Sequence, residues 1–112
     1  MSVKLWTILG GVATAVLMAL GLFFQKLNGT RGGNVWITPY LALATLAYFP
    51  TFIIGNKVFA IGGRMSLYVP VTAASYLISM VVGRMYFAEP VSPLRWVGGV
   101  VIILGVTLVA SG

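Results

Sequence analysis

The stretch LWTILGGVATAVLMALGLFFQ, from Leu5 to Gln25, decides the fold. It holds 21 residues without a single charge or proline. A bilayer core of about 30 Å takes about 20 apolar helical residues. The stretch therefore reads as a membrane-spanning helix. Three further stretches read the same way, and the spacing predicts helices over about residues 5–27, 35–58, 65–87 and 93–110. A signal peptide is the alternative for the first stretch, since Lys4 precedes it. The run is long for that role, and no convincing cleavage site follows it.

The breaks are short. Residues Asn28 to Asn34 carry turn chemistry, with Asn34 as the expected cap of the second helix. Ala60 to Arg64 form the second break. Glu89 to Pro93 form the third, with Ser92 as cap and Pro93 in the first helical position. Links of this length join antiparallel neighbours. The expected fold is an all-α integral membrane protein: one four-transmembrane-helix up-down bundle with short loops over residues 1–112, both ends on one side. Pro39, Pro50 and Pro70 fall inside the second and third expected helices, where prolines kink or hinge.

Composition agrees. The chain has 112 residues, 60% of them hydrophobic and 7% charged. Its mean hydropathy is +1.05. A soluble domain carries roughly 25% charged residues. Seven Lys or Arg face one acid, Glu89, for a net charge of +6. These cations sit at helix ends, so they read as contacts to lipid headgroups rather than to nucleic acid. With no His and no Cys, thiol catalysis and the usual transition-metal sites have no ligands. No soluble-enzyme motif is present, and neither an enzyme nor a cofactor is expected. Asn28-Gly29-Thr30 matches the glycosylation sequon, a common and weak pattern.

Two stripes of small or polar residues mark packing faces or a cavity lining. One runs Gly10, Thr14, Met18, Gly21, Gln25 and Asn28; the other runs Thr72, Ser75, Tyr76, Ser79, Gly83 and Tyr86. Thr14, Gly21, Ser75, Tyr76, Ser79 and Tyr86 are the expected cavity residues. Gly98 and Gly105 are the expected packing residues of the last helix. In an up-down bundle Lys4, Lys57 and Arg64 share the terminal side, while Lys26, Arg31, Arg84 and Arg95 share the other. Three against four gives no orientation bias. Glu89 joins the second group. Four cations and one acid at one face suit an anionic headgroup, with phosphate at Lys26, Arg84, Arg31 and Arg95. Gln25 and Glu89 would contact the headgroup or form an ion pair.

The run Ala88-Glu89-Pro90-Val91-Ser92-Pro93-Leu94-Arg95-Trp96, leading into a Gly-rich apolar helix, resembles the end of small drug/metabolite transporter superfamily members. It is most similar to the aminoarabinose-phosphoundecaprenol flippase subunits. Gly21-Leu22-Phe23-Phe24-Gln25-Lys26 is similar to their Gly-Gln-x-x-Gln-Lys pattern, with Leu22 in place of the first Gln. The resemblance implies a flippase, or flippase subunit, for a polyprenyl-phosphate sugar in the bacterial inner membrane. It implies a homodimer, or a heterodimer with a similar small subunit, with membrane lipid and the lipid-linked sugar as its other partners. Gln25, Lys26, Glu89, Pro90, Ser92 and Pro93 carry over. The related small multidrug exporters place a carboxylate in the first helix, where this chain has Thr14 and other neutral residues. A multidrug or cation exporter and a non-transport accessory subunit are the alternatives.

Overall fold

A computed structural model describes residues 2–33 and 36–112. The helices are α1 (Val3–Thr30), α2 (Pro39–Ala60), α3 (Met65–Thr72), α4 (Ala74–Tyr86) and α5 (Pro93–Ser111). No strand occurs among the described residues. Taken as one crossing, α3 and α4 complete a set of four spans long and apolar enough to cross a membrane. The chain has the build of a multi-pass membrane protein.

Three starts are closed by hydroxyl caps. The Leu5 amide donates to Ser2 Oγ at 3.2 Å, Leu41 to Thr38 Oγ1 at 3.1 Å and Arg95 to Ser92 Oγ at 3.2 Å. Each satisfies an amide that the helix leaves unpaired. The Ser92-Pro93 start is as expected. The second helix begins later than expected, at Pro39 after the Thr38 cap, so Pro39 occupies the first turn rather than the interior. Asn34, the expected cap, lies outside the described residues, as does Val35. The first helix runs on to Thr30, past the expected end.

The third crossing is divided at Ala73. Pro70 has no N–H to give to the preceding turn. The chain tightens instead, with Ala73 N–H donating to Pro70 O and Tyr76 N–H to Ala73 O, each at 3.0 Å. Pro50, by contrast, stays inside an unbroken α2.

α1 is the hub, packing on α2, α3 and α4, while α5 leans mainly on α4 and α3. Its buried seam includes Thr7, Thr14, Gly21 and Asn28, at a spacing of seven residues. Between lipid-facing helices there is no hydrophobic drive to associate, so close contact at small residues supplies the attraction. A Cβ on Gly11 would lie 2.7 Å from Val71 Cγ1, and one on Gly21 would lie 2.6 Å from the Tyr48 ring. At the seam's upper end Thr38 Oγ1 donates to Asn28 Oδ1 at 2.6 Å. The sequon's Asn28 side chain is thus a buried link between α1 and the α2 cap.

The assembly is flat, 47 × 34 × 17 Å. Its thinnest dimension is less than two helix diameters of about 10–12 Å. Gly98 and Gly105 do not pack within the chain, for a Cβ on either would meet nothing within 4 Å. The packing glycine of α5 is Gly99, whose Cβ would come within 2.8 Å of Leu77 and 2.7 Å of Met80.

Overpacking the seam should therefore destabilise the fold where the α5 glycines would not. Gly11→Val is expected to cost about 1–3 kcal/mol in detergent unfolding. Gly105→Val should change stability by less than about 0.5 kcal/mol. Equal losses would contradict a seam centred on α1.

Candidate functional site

The α4–α5 connection builds the site. After Tyr86 the chain turns through Ala88 at φ 54°, left-handed backbone that a non-glycine residue adopts only at a cost. The turn closes with Glu89 N–H donating to Gly83 O at 3.1 Å. Gly83 leaves room for the returning chain, since a Cβ there would sit 3.4 Å from Glu89 Oε1. The carboxylate is thereby laid against α4 and facing α1.

Lys26 meets it there. Lys26 Nζ lies 3.7 Å from Glu89 Oε1, with both side chains about half exposed at 48% and 46%. It is the only ion pair among the described residues. In water such a pair contributes about 0–1 kcal/mol, so its stabilising role is small and both groups remain available to a ligand. Lys26 Nζ also stands 5.9 Å from the centre of the Phe87 ring, a cation–π distance.

Under the pair lies a pocket of about 190 Å³ lined by Ala19, Phe23, Lys26, Ser79, Phe87 and Glu89, among others. Ser79 Oγ is buried without a hydrogen-bond partner, and so is Ser75 Oγ one turn further down α4. A buried hydroxyl without a partner costs about 1–3 kcal/mol. Two of them in line below a charged pocket form a polar track with unused hydrogen-bonding capacity. Elsewhere on α1, Thr14 Oγ1 is hydrogen-bonded at 2.7 Å to the buried Tyr68 hydroxyl.

The remaining expected residues fall elsewhere. Arg84 is exposed and does not line this pocket. It follows Gly83 by one residue, a turn of about 100° around the helix, and Gly83 faces inward. Glu89, expected to contact the headgroup or form an ion pair, pairs with Lys26. Arg31 stands 5.8 Å from the Tyr40 ring at the start of α2. Arg95 lies exposed in the first turn of α5, and Gln25 is exposed beside Lys26. Tyr76 and Tyr86 are both 62% exposed, whereas Ser75 is buried. Tyr86 packs its edge on Phe23 at 4.8 Å between ring centres and lines an apolar groove between α1 and α4. Gly21 carries the Tyr48 ring and is a packing residue rather than a lining one.

Tyr68 escaped the sequence reading. It bonds Thr14, stacks edge-on to Phe59 at 5.3 Å and lies against Gly55. The signal that could have found it is the seven-residue series through Thr7 and Thr14, which marks the face Tyr68 must meet. Comparison with known proteins yields no match: no family model, no curated protein and no solved structure matches the chain.

Replacing Ala88 by glycine should relieve the left-handed turn. Ala88→Gly is expected to raise stability by about 1 kcal/mol while keeping the Lys26–Glu89 pair. Thermal unfolding in detergent measures the first. A loss of stability would show that the turn is not held as described.

Proposed function

We propose that the chain is a transporter subunit that moves an anionic lipid, a polyprenyl-phosphate sugar, across the bacterial inner membrane. The observation that carries this reading is the Lys26–Glu89 pair over a small pocket whose buried Ser79 hydroxyl has no partner. An ammonium beside a carboxylate offers complementary contacts to a headgroup bearing both a phosphate and a sugar amine or hydroxyl. The resemblance of the Gln25-Lys26 and Glu89-to-Pro93 stretches to flippase subunits supports the same substrate class.

The physics of the route is simple. The pocket lies at the end of α1, beside the α4–α5 connection. The headgroup can move along the Ser79 and Ser75 hydroxyls while its hydrocarbon tail stays in the bilayer. Exposing that tail to water would cost about 0.8 kcal/mol per CH₂. Arg84 and Arg95 hold the same membrane face by contacting headgroups at large. Drug–proton exchange has less support. The chain's one acid is a half-exposed partner of Lys26, and α1 offers Thr14 at mid-depth rather than a carboxylate.

Native mass spectrometry of the purified protein tests the reading. Polyprenyl-phosphate sugar lipids should bind in preference to phosphatidylglycerol. Lys26→Ala should weaken that binding about tenfold, the loss of one charge-assisted contact. Arg84→Ala should change it less than about threefold, as expected of a surface charge. Glu89→Gln should tighten binding of bare polyprenyl phosphate, because it frees Lys26, and weaken binding of an amino-sugar form. Binding no better than phosphatidylglycerol and indifferent to Lys26 would overturn the proposal.

A further inference from the structure

A second polar pocket, of about 310 Å³, lies at the other end of α1. Lys4, Thr7, Arg64, Ser66 and Leu67 line it together with the end of α5 at Val109 and Gly112. Lys4 and Lys26 are separated along α1 by about 33 Å of helix rise, close to the thickness of a bilayer core of about 30 Å. The two pockets therefore lie at opposite faces of the membrane.

The charge around this second pocket is unbalanced. Lys4 and Arg64 reach it from different helices, so two like charges share one concavity. The chain has one acidic side chain, Glu89, and it is engaged by Lys26 at the opposite face. Among the described residues no carboxylate side chain reaches Lys4 and Arg64, and the backbone end at Gly112 lines the pocket without an ion pair to either. Near a low-dielectric bilayer, like charges held together raise the energy unless an anion joins them.

The backbone adds to the imbalance. α3 starts at Arg64 without a side-chain cap, unlike the starts capped by Ser2, Thr38 and Ser92. The positive end of that helix is thus left open at the pocket, where Ser66 supplies a hydroxyl in the first turn. At the back of the pocket Thr7 is only 1% exposed and spends its hydroxyl proton on Val3 O at 2.7 Å. The donors offered to a ligand are therefore ammonium, guanidinium, hydroxyl and amide. Opposite these donors the C-terminal end of α5 reaches the pocket at Val109 and Gly112.

We infer that this pocket binds a phosphate group, as a second anion site at the face opposite the Lys26–Glu89 pocket. Arg64 supplies a fork matched to phosphate oxygens, Lys4 a compact charge and Ser66 a hydrogen bond. A volume of this size falls at the lower end of small-ligand pockets, about 300–1,000 Å³. The phosphate comes from an anionic lipid headgroup or from free phosphate. The site rests on the membrane-spanning fold and not on the nature of the lipid carried at Lys26.

Titration of the ¹⁵N-labelled full chain in a neutral maltoside detergent tests it. Two probes are used separately, dihexanoyl phosphatidic acid and inorganic phosphate. Saturable amide shifts are expected at Thr7, Ser66 and Leu67 with phosphatidic acid. Lys4→Gln/Arg64→Gln should weaken them at least about tenfold. Lys4→Arg/Arg64→Lys, which keeps both charges, should retain binding and so controls for folding. Lys26→Gln should leave these shifts unchanged, which separates this site from the one at the other face. The same shifts with inorganic phosphate assign the site to the oxyanion itself, and a response to the lipid alone assigns it to a headgroup with its chains. No saturable shift with either probe, or shifts that persist in the double Gln variant, would overturn the inference.

Discussion

The close approach of α1 to its neighbours is the constraint on which the rest depends. In water, burying Leu and Val would drive helices together; in lipid their apolar faces are already solvated. Attraction must come from contact at short range, and contact needs surfaces without bulk. Thr7, Thr14, Gly21 and Asn28 provide such a surface along one face of α1, with Gly10 and Gly11 beside it. Val58, Val71 and Tyr48 fill the notches these residues leave. The larger residues of α1, such as Leu9, Val16 and Leu20, are turned outward. This is the inverse of a soluble amphipathic helix.

The same constraint makes the polar groups informative. Polar atoms inside a bilayer are tolerated when they find partners within the protein. The Thr14–Tyr68 and Asn28–Thr38 bonds meet that requirement, one joining α1 to α3 and the other fixing the start of α2. Ser75 and Ser79 do not meet it. They lie just after the division of the third crossing, where Pro70 has already loosened the backbone. A protein selected for stability alone would lose little by carrying alanine at these positions. Hydroxyls kept without partners, beneath a pocket that opens on a lysine and a carboxylate, suit a ligand that supplies the missing bonds.

The fold was largely legible because its signal is long and repeated. Four apolar stretches separated by turn residues admit few other architectures, and Ser92-Pro93 announces its helix start by itself. The details failed by small rotations. Gly98 and Gly105 were expected to pack where Gly99 does so within the chain, Tyr76 was grouped with Ser75 and Ser79 but is exposed, and Arg84 was expected beside Lys26 but does not line its pocket. Each difference is about one residue, or about 100° of helix, and exchanges inward and outward. In a soluble helix, polarity marks the outward face and settles the phase. Here lipid-facing and protein-facing residues are both apolar, so the phase has to be read from size, and size is a weaker signal. The division at Ala73 was less legible still, because Pro50 leaves its helix whole and Pro70 does not.

Charge placement was readable at the level of faces and not of pairs. Grouping Lys26, Arg31, Arg84 and Arg95 at one end is a consequence of helix count, whereas choosing the partner of Glu89 requires the turn at Ala88. That turn brings the carboxylate back to Gly83 and within reach of α1, so a lysine at the end of the first helix is preferred over an arginine four residues before the turn. Once this pair forms, the chain has no acid left for its other cations. Basic side chains such as Lys4, Arg64, Arg84 and Arg95 then depend on lipid or on ligand for countercharge. Lys4 and Arg64 are set apart among them because they meet at one pocket. A scattered anchor exchanges its lipid partners freely, but two cations converging on one cavity fix the position of the anion between them.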